Sequence, residues 1–186
     1  MLHPASNPHR WVVLLAQLPA APSSARVALW RRMRSLGAAS LLNGAWTLPA
    51  SDDIIELFQQ SATRVREQGG HADVLVAETV AGGDAAVIAR FEADRGLEYD
   101  EFAERGDALL AEITKETGRE KFTFAELEEI EDDHQKLADW LVKIEARDFF
   151  PGERRDAARA LLGRCQTARD AFAAAVYARE VPDPDE

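Results

Sequence analysis

The residues from Arg10 to Leu18, Arg-Trp-Val-Val-Leu-Leu-Ala-Gln-Leu, form an apolar run of strand-favouring residues stopped by Pro19 and Pro22. A run without polar alternation predicts a strand covered on both faces. Ser23 or Ser24 then caps a helix in which Ala25, Leu29, Met33 and Leu36 recur at helical spacing until Gly37 stops it. Ala39 to Asn43 and Ala45 to Leu48 flank Asn43-Gly44, a pair that tolerates positive φ and suits a two-residue hairpin turn. Ser51 caps a second helix, with Asp52 and Asp53 at its positive end and Ile55, Phe58, Ala62 and Val65 along one face. After Gly69-Gly70, the alternation from Asp73 to Val80 predicts a fourth strand. The order β-α-β-β-α-β over residues 10–81 makes the expected fold α+β, with a ferredoxin-like split β-α-β unit. In such a unit both helices lie on one sheet face. The other face of the first strand then needs cover, from the later half of the chain or from a second copy.

The later half is patterned for helices. Asp84 caps a segment from Ala85 towards Thr117, interrupted near Gly96, whose buried residues are expected to be Phe102, Leu109, Leu110 and Ile113. Thr123-Phe-Ala-Glu126 is a capping box. It opens a helix whose Leu127, Ile130, His134, Leu137, Leu141 and Ile144 follow the spacing of a packed seam up to Phe149-Phe150-Pro151-Gly152. Residues 153–180 supply its antiparallel partner, with Leu161, Cys165, Ala168, Phe172 and Val176 on one face. Residues 84–180 are therefore expected to form a helical portion packed with the first unit, while residues 1–8 and 181–186 have little to pack.

Composition sharpens this picture. The 186 residues carry 33 Asp plus Glu against 22 Lys plus Arg, for a net charge of −11, and are 46% hydrophobic, enough for a folded core. A chain so acidic repels nucleic acid in bulk, so any such role needs a locally basic face. One exists in the sequence: residues 1–50 contain five arginines and not one Asp or Glu, whereas residues 101–150 hold 15 acids and seven bases. The asymmetry is equally that of two halves, or two copies, that attract each other. Cys165 is the only cysteine, which excludes an internal disulfide and fits a reducing compartment. The longest apolar run falls far short of the roughly 20 residues of a membrane helix, and no secretory leader is legible. A cytoplasmic protein without a membrane partner is expected.

Several segments carry a family likeness: Trp11-Val-Val-Leu-Leu, Leu18-Pro19, Ser24-Ala-Arg26-Val-Ala-Leu-Trp30-Arg31-Arg32, Leu36-Gly37-Ala38, Leu42-Asn43-Gly44 and Trp46-Thr-Leu-Pro49. With Phe122-Thr-Phe-Ala-Glu-Leu-Glu, Arg147-Asp-Phe-Phe150 and Val176-Tyr177, the chain resembles the N-terminal domain family of the chromate-resistance protein ChrB over nearly its whole length. The resemblance implies a non-enzymatic transcription regulator or stress factor linked to chromate resistance, acting on DNA, on a protein partner or on a ChrB-like regulatory chain. Longer relatives are described as chromate-responsive, a property the resemblance does not carry over to this chain. The opening unit is also similar in topology to the central domain of PaaX-type repressors and to small CRISPR-associated nucleases.

The nucleic-acid-binding candidates are Arg26, Arg31, Arg32 and Arg34, on one predicted helix beside Trp30, because guanidiniums in an acid-free stretch suit phosphate contacts. A helical wheel places Arg26, Arg31 and Arg34 on one flank of the Leu29–Leu36 stripe and Arg32 on the other, so the four do not make one patch. No catalytic residue, cofactor or metal is expected. A metal nuclease needs a carboxylate at the end of the first strand, where this chain has Ala16, Gln17 and Leu18. Glu131 and His134 have the spacing of a di-iron ligand pair, but no second copy exists and His134 falls in the apolar seam. Cys165 reads as a buried, inert thiol, and the four tryptophans as core. An oxyanion binder would need clustered donors that the sequence does not reveal. The alternative to a DNA-binding regulator is a homodimeric protein-interaction module.

Overall fold

The computed structural model describes residues 10–21, 23–80 and 82–180. Expectations about the two ends lie outside the described residues. Among the described residues nine elements follow one another. They are β1 (Arg10–Gln17), α1 (Ser23–Ser35), β2 (Ala39–Leu42), β3 (Ala45–Pro49), α2 (Asp52–Glu67), β4 (His71–Glu78), α3 (Gly83–Gly118), α4 (Phe124–Glu145) and α5 (Glu153–Glu180). The fold is α+β, a four-stranded antiparallel sheet with helices and a helical C-terminal part. The chain divides into two compact units. Residues 1–94 with 147–150 make one; residues 95–146 with 151–186 make the other.

In the first unit the strand order is β2-β3-β1-β4, with β1 antiparallel to both neighbours. The register opposes Leu14 to Trp46 and Val74, and Val13 to Thr47 and Leu75. Opposed residues share a face, so Val12, Leu14 and Ala16 look one way and Trp11, Val13 and Leu15 the other. Strand β4 begins at His71, two residues before the sequence pattern suggested, because it pairs with β1 along its full length, from Gln17 to Arg10. At the hairpin only Gly44 takes a positive φ, +81°, and its carbonyl accepts from the Ala16 amide at 2.7 Å. Helix α2 is capped as read, with the Ser51 hydroxyl accepting from the Ile54 amide at 3.4 Å and Phe58, Ala62 and Val65 buried.

The cover for the second face of β1 comes from this chain, and it covers only part of the strand. Phe91, in the early turns of α3, stacks on Trp11 with ring centres 5.8 Å apart and packs against Phe149 and Phe150 at 6.0 and 5.3 Å. Asp84 at the start of α3 holds this arrangement, its Oδ1 accepting from Trp11 Nε1 at 2.8 Å and from Thr79 Oγ1 at 2.6 Å. Further along the same face Leu15 and Leu75 stay 41% and 49% exposed, so β1 is doubly buried only in its first half.

Helix α3 runs unbroken through Gly96, contrary to the expected interruption. The Arg154 guanidinium, which binds Asp100 at 3.2 Å, lies against the glycine in the space a Cβ would take. In the second unit, Leu127, Ile130, His134, Leu137, Leu141 and Ile144 of α4 are all buried, together with Leu161, Cys165, Phe172 and Val176 of α5. The pairs Glu145–Arg159, His134–Arg169 and Glu120–Arg179 run in opposite chain directions, which makes α4 and α5 an antiparallel hairpin. Among the described residues no helix is long and apolar enough to cross a membrane.

Candidate nucleic-acid interface

Helix α1 carries the four arginines singled out by sequence. It has no acid in its first turn, and only Met33 is fully buried. The structure agrees with the helical wheel in separating Arg32 from Arg26 and Arg34, and differs from it at Arg31. Arg31 and Arg32 line a cleft of about 450 Å³ between α1 and α2, whereas Arg26 and Arg34 line a groove on the opposite side of α1. Side-chain tethers hold Arg32 and Arg34 on the sides the wheel gives them. Arg32 Nε donates to Ser61 Oγ at 3.0 Å, which draws it towards α2. Arg34 Nη1 donates to Asp94 Oδ2 at 2.9 Å, which draws it towards α3.

The α1–α2 cleft gains a third guanidinium that sequence reasoning missed, Arg64, together with the hydroxyls of Ser35 and Ser61 and the amide of Gln68. Among the described residues no Asp or Glu lines it. Three cations without a carboxylate leave charge for an external anion, and arginine suits phosphate because its donors form a planar fork. The missed signal was available: Arg64 follows Ser61 by three residues on the face of α2 that meets α1, but its partner helix could be placed only in three dimensions. Arg26 and Arg31 are exposed and hydrogen-bond to nothing among the described residues. Counted over the whole first unit, nine arginines face ten acids, while the second unit holds 13 Lys plus Arg against 23 Asp plus Glu. The acidity of the chain thus belongs to the helical unit.

The other groups singled out by sequence lie in the second unit. His134 is buried, and its Nδ1 lies 3.1 Å from Arg169 Nη1, an arrangement in which the ring nitrogen accepts and Nε2 carries the proton. Burial and the nearby guanidinium both hold its pKa below the ordinary value. Cys165 is fully buried, its Sγ donating to the Gly106 carbonyl at 3.4 Å, and burial pushes the thiol pKa up, which suppresses the nucleophilic thiolate. Two buried charges had no sequence signal. Arg95 pairs with Glu98 at 2.7 Å, and the Glu116 carboxylate is held by Lys115 and Arg119, both at 3.1 Å. The hydrogen bond from Lys115 is the main reason its pKa lies below the usual carboxylate range.

These features define an α+β protein whose sheet-bearing unit displays an arginine-rich helix and whose helical unit is strongly acidic. The family model described as Protein ChrB, N-terminal, matches residues 26–182, and the chain belongs to that family. It is 32% identical over 152 residues to Protein ChrB of Cupriavidus metallidurans, a match that covers 81% of this chain and 43% of that protein. The match therefore takes in less than half the length of this curated relative. Among solved structures it is similar to the uncharacterized protein Rv0674 from Mycobacterium tuberculosis, with a TM-score of 0.45 and 19% identity over 88% of this chain and 63% of that one.

Proposed function

We propose that this ChrB-family chain is a non-enzymatic regulatory factor of chromate resistance that binds DNA through the arginine cleft between α1 and α2. The observation that carries the reading is the meeting of Arg31, Arg32 and Arg64 in a cleft without a carboxylate, on a chain whose net charge is −11. Guanidiniums at such a place supply phosphate contacts that position a duplex, and affinity then depends steeply on salt. The mechanism is occupancy of a site on DNA. The test is fluorescence anisotropy with duplex DNA from upstream of the chain's own reading frame, at several salt concentrations, on the native chain and on R31A/R64A. Loss of two phosphate contacts is expected to flatten the slope of log K against log[salt] by about 1.8. An unchanged affinity and slope refute the reading.

A second reading is a homodimeric interaction module without nucleic-acid binding. The observation favouring it is the apolar strip left by Leu15 and Leu75 on the partly covered sheet face. Light scattering across protein and salt concentrations tests it, and a monomer under every condition refutes it.

A further inference from the structure

A groove of the first unit lies on the other side of α1 from the proposed DNA cleft. Its volume is about 880 Å³, within the range of small-molecule sites, and its lining mixes apolar side chains with a few converging polar groups. Arg26, Trp30 and Arg34 follow one another at intervals of four residues along α1, so each guanidinium stem is about 6 Å from the indole along the helix axis. Across the groove stands Arg90, whose Nη1 donates to the carbonyls of Ser40 at 3.0 Å and Leu41 at 3.2 Å, an anchorage that leaves its other donors without a hydrogen-bond partner among the described residues. Asp94 is the one carboxylate of the lining among the described residues and is engaged by Arg34. Three cations against one acid leave the groove with an excess of positive charge.

Trp30 is 53% exposed and stacks on no other ring among the described residues. Trp46, 8% exposed, forms part of the same lining. An exposed indole flanked by guanidiniums offers a flat apolar face for a ring and charge-assisted donors for anionic groups a helical turn away. A compact anion engages one arginine and leaves the indole unused. A ligand with a planar ring and an extended chain of negative charge uses all of them. We propose that this groove is a nucleotide-binding site, in which a base stacks on Trp30 and the phosphates are held by Arg26, Arg34 and Arg90.

The amides of Gln17 and Asn43, also in the lining, supply donors and acceptors for the edge of the base or the sugar. The site stands independently of the DNA reading, since it uses neither Arg31 nor Arg64. Calorimetric titration of the full chain with ATP, adenosine and inorganic tripolyphosphate tests it. One saturable site is expected for ATP, with adenosine and tripolyphosphate each at least about tenfold weaker, because each has only half of the recognised chemistry. W30A and R26A, both at exposed positions, are each expected to weaken ATP by about tenfold or more, while W30F keeps a ring and stays within about threefold. R164A, an equal loss of charge in the helical unit, leaves ATP affinity unchanged. Absence of ATP binding at about 5 mM, a millimolar ceiling for any specific site, overturns the proposal. Tripolyphosphate binding as tight as ATP, or W30A binding ATP as tightly as the native chain, overturns it as well.

Discussion

Replacing Phe91 with alanine tests how the sheet of the first unit is covered. The ring is 1% exposed and packs on Trp11, Phe149 and Phe150 with centre separations of 5.8, 6.0 and 5.3 Å. Burial of a phenyl ring and the cavity left by its removal put Phe→Ala changes at about 3–5 kcal/mol. Three aromatic neighbours, each contributing about 0.5–1.5 kcal/mol beyond area, place this site near the middle or top of that range, at about 4 kcal/mol. With a urea slope of about 2 kcal/mol per molar, the midpoint of the first unit then falls by about 2 M. Three of the four tryptophans, Trp11, Trp30 and Trp46, belong to this unit, so intrinsic fluorescence follows its unfolding, and far-ultraviolet dichroism follows mainly the helices. V80A, at a residue 87% exposed, serves as the control and is expected to stay within about 0.5 kcal/mol. A loss below about 1 kcal/mol for F91A refutes the reasoning: Trp11 would then owe its burial to something other than the early turns of α3.

Gly37 takes φ of +75° and lies so close to Arg147 that a Cβ would meet its Cβ and carbonyl oxygen at 2.8 Å, so G37A is expected to cost about 2–3 kcal/mol in a thermal or urea melt. The depressed pKa of His134 means that the unfolded chain takes up a proton below its ordinary value of 6.5 while the folded chain resists. Its contribution is complete above that value and is lost as pH falls below it; urea midpoints of H134L are expected to depend less on pH between about 7.5 and 5.5 than those of the native chain. Glu116 carries a linkage of the same sign at lower pH: its lowered pKa stabilises the fold above the ordinary value of 4.5, and that stabilisation disappears as pH falls through the folded-state value. E116Q removes this increment, and its acid denaturation profile is expected to be shallower below about pH 5.

The helical unit was the more legible half, for a reason specific to its residues. Thr123 and Glu126 declare a helix start, and a seam from Leu127 to Ile144 repeats without error, so pattern alone identifies every buried position of α4. The sheet was legible as an order of elements because Gly37, Asn43-Gly44 and Gly69-Gly70 punctuate it where the chain must turn. Gly96 misled by the same rule. A glycine inside a helical pattern signals either a break or a close neighbour, and the neighbour here, Arg154, is 58 residues away in sequence. Phe149-Phe150 read as the stop of a helix, whereas their rings cover Trp11 and Phe91. No local pattern encodes such a return of the chain.

The arginines of α1 were legible in part: the helical wheel separates Arg32 from Arg26 and Arg34, but leaves Arg31 with the wrong pair. A helical wheel fixes the direction of each Cα–Cβ bond, but a guanidinium sits at the end of a long flexible stem, so its partners are legible only in the fold. Ser61 takes Arg32 to one side and Asp94 takes Arg34 to the other, and both anchors come from elements later in the chain. The outcome is two surfaces on one helix: an acid-free cleft with Arg31, Arg32 and Arg64, and a groove with Trp30 between Arg26 and Arg34. Leu29 lines both, so the two share a wall without sharing a cation. That geometry makes the surfaces separable by mutation. R31A/R64A acts on the cleft and W30A on the groove, and a change in DNA affinity on adding ATP, present in the native chain and absent in W30A, requires that occupancy of the groove be felt through α1. Linkage then demands the reciprocal: DNA must shift ATP affinity by the same factor.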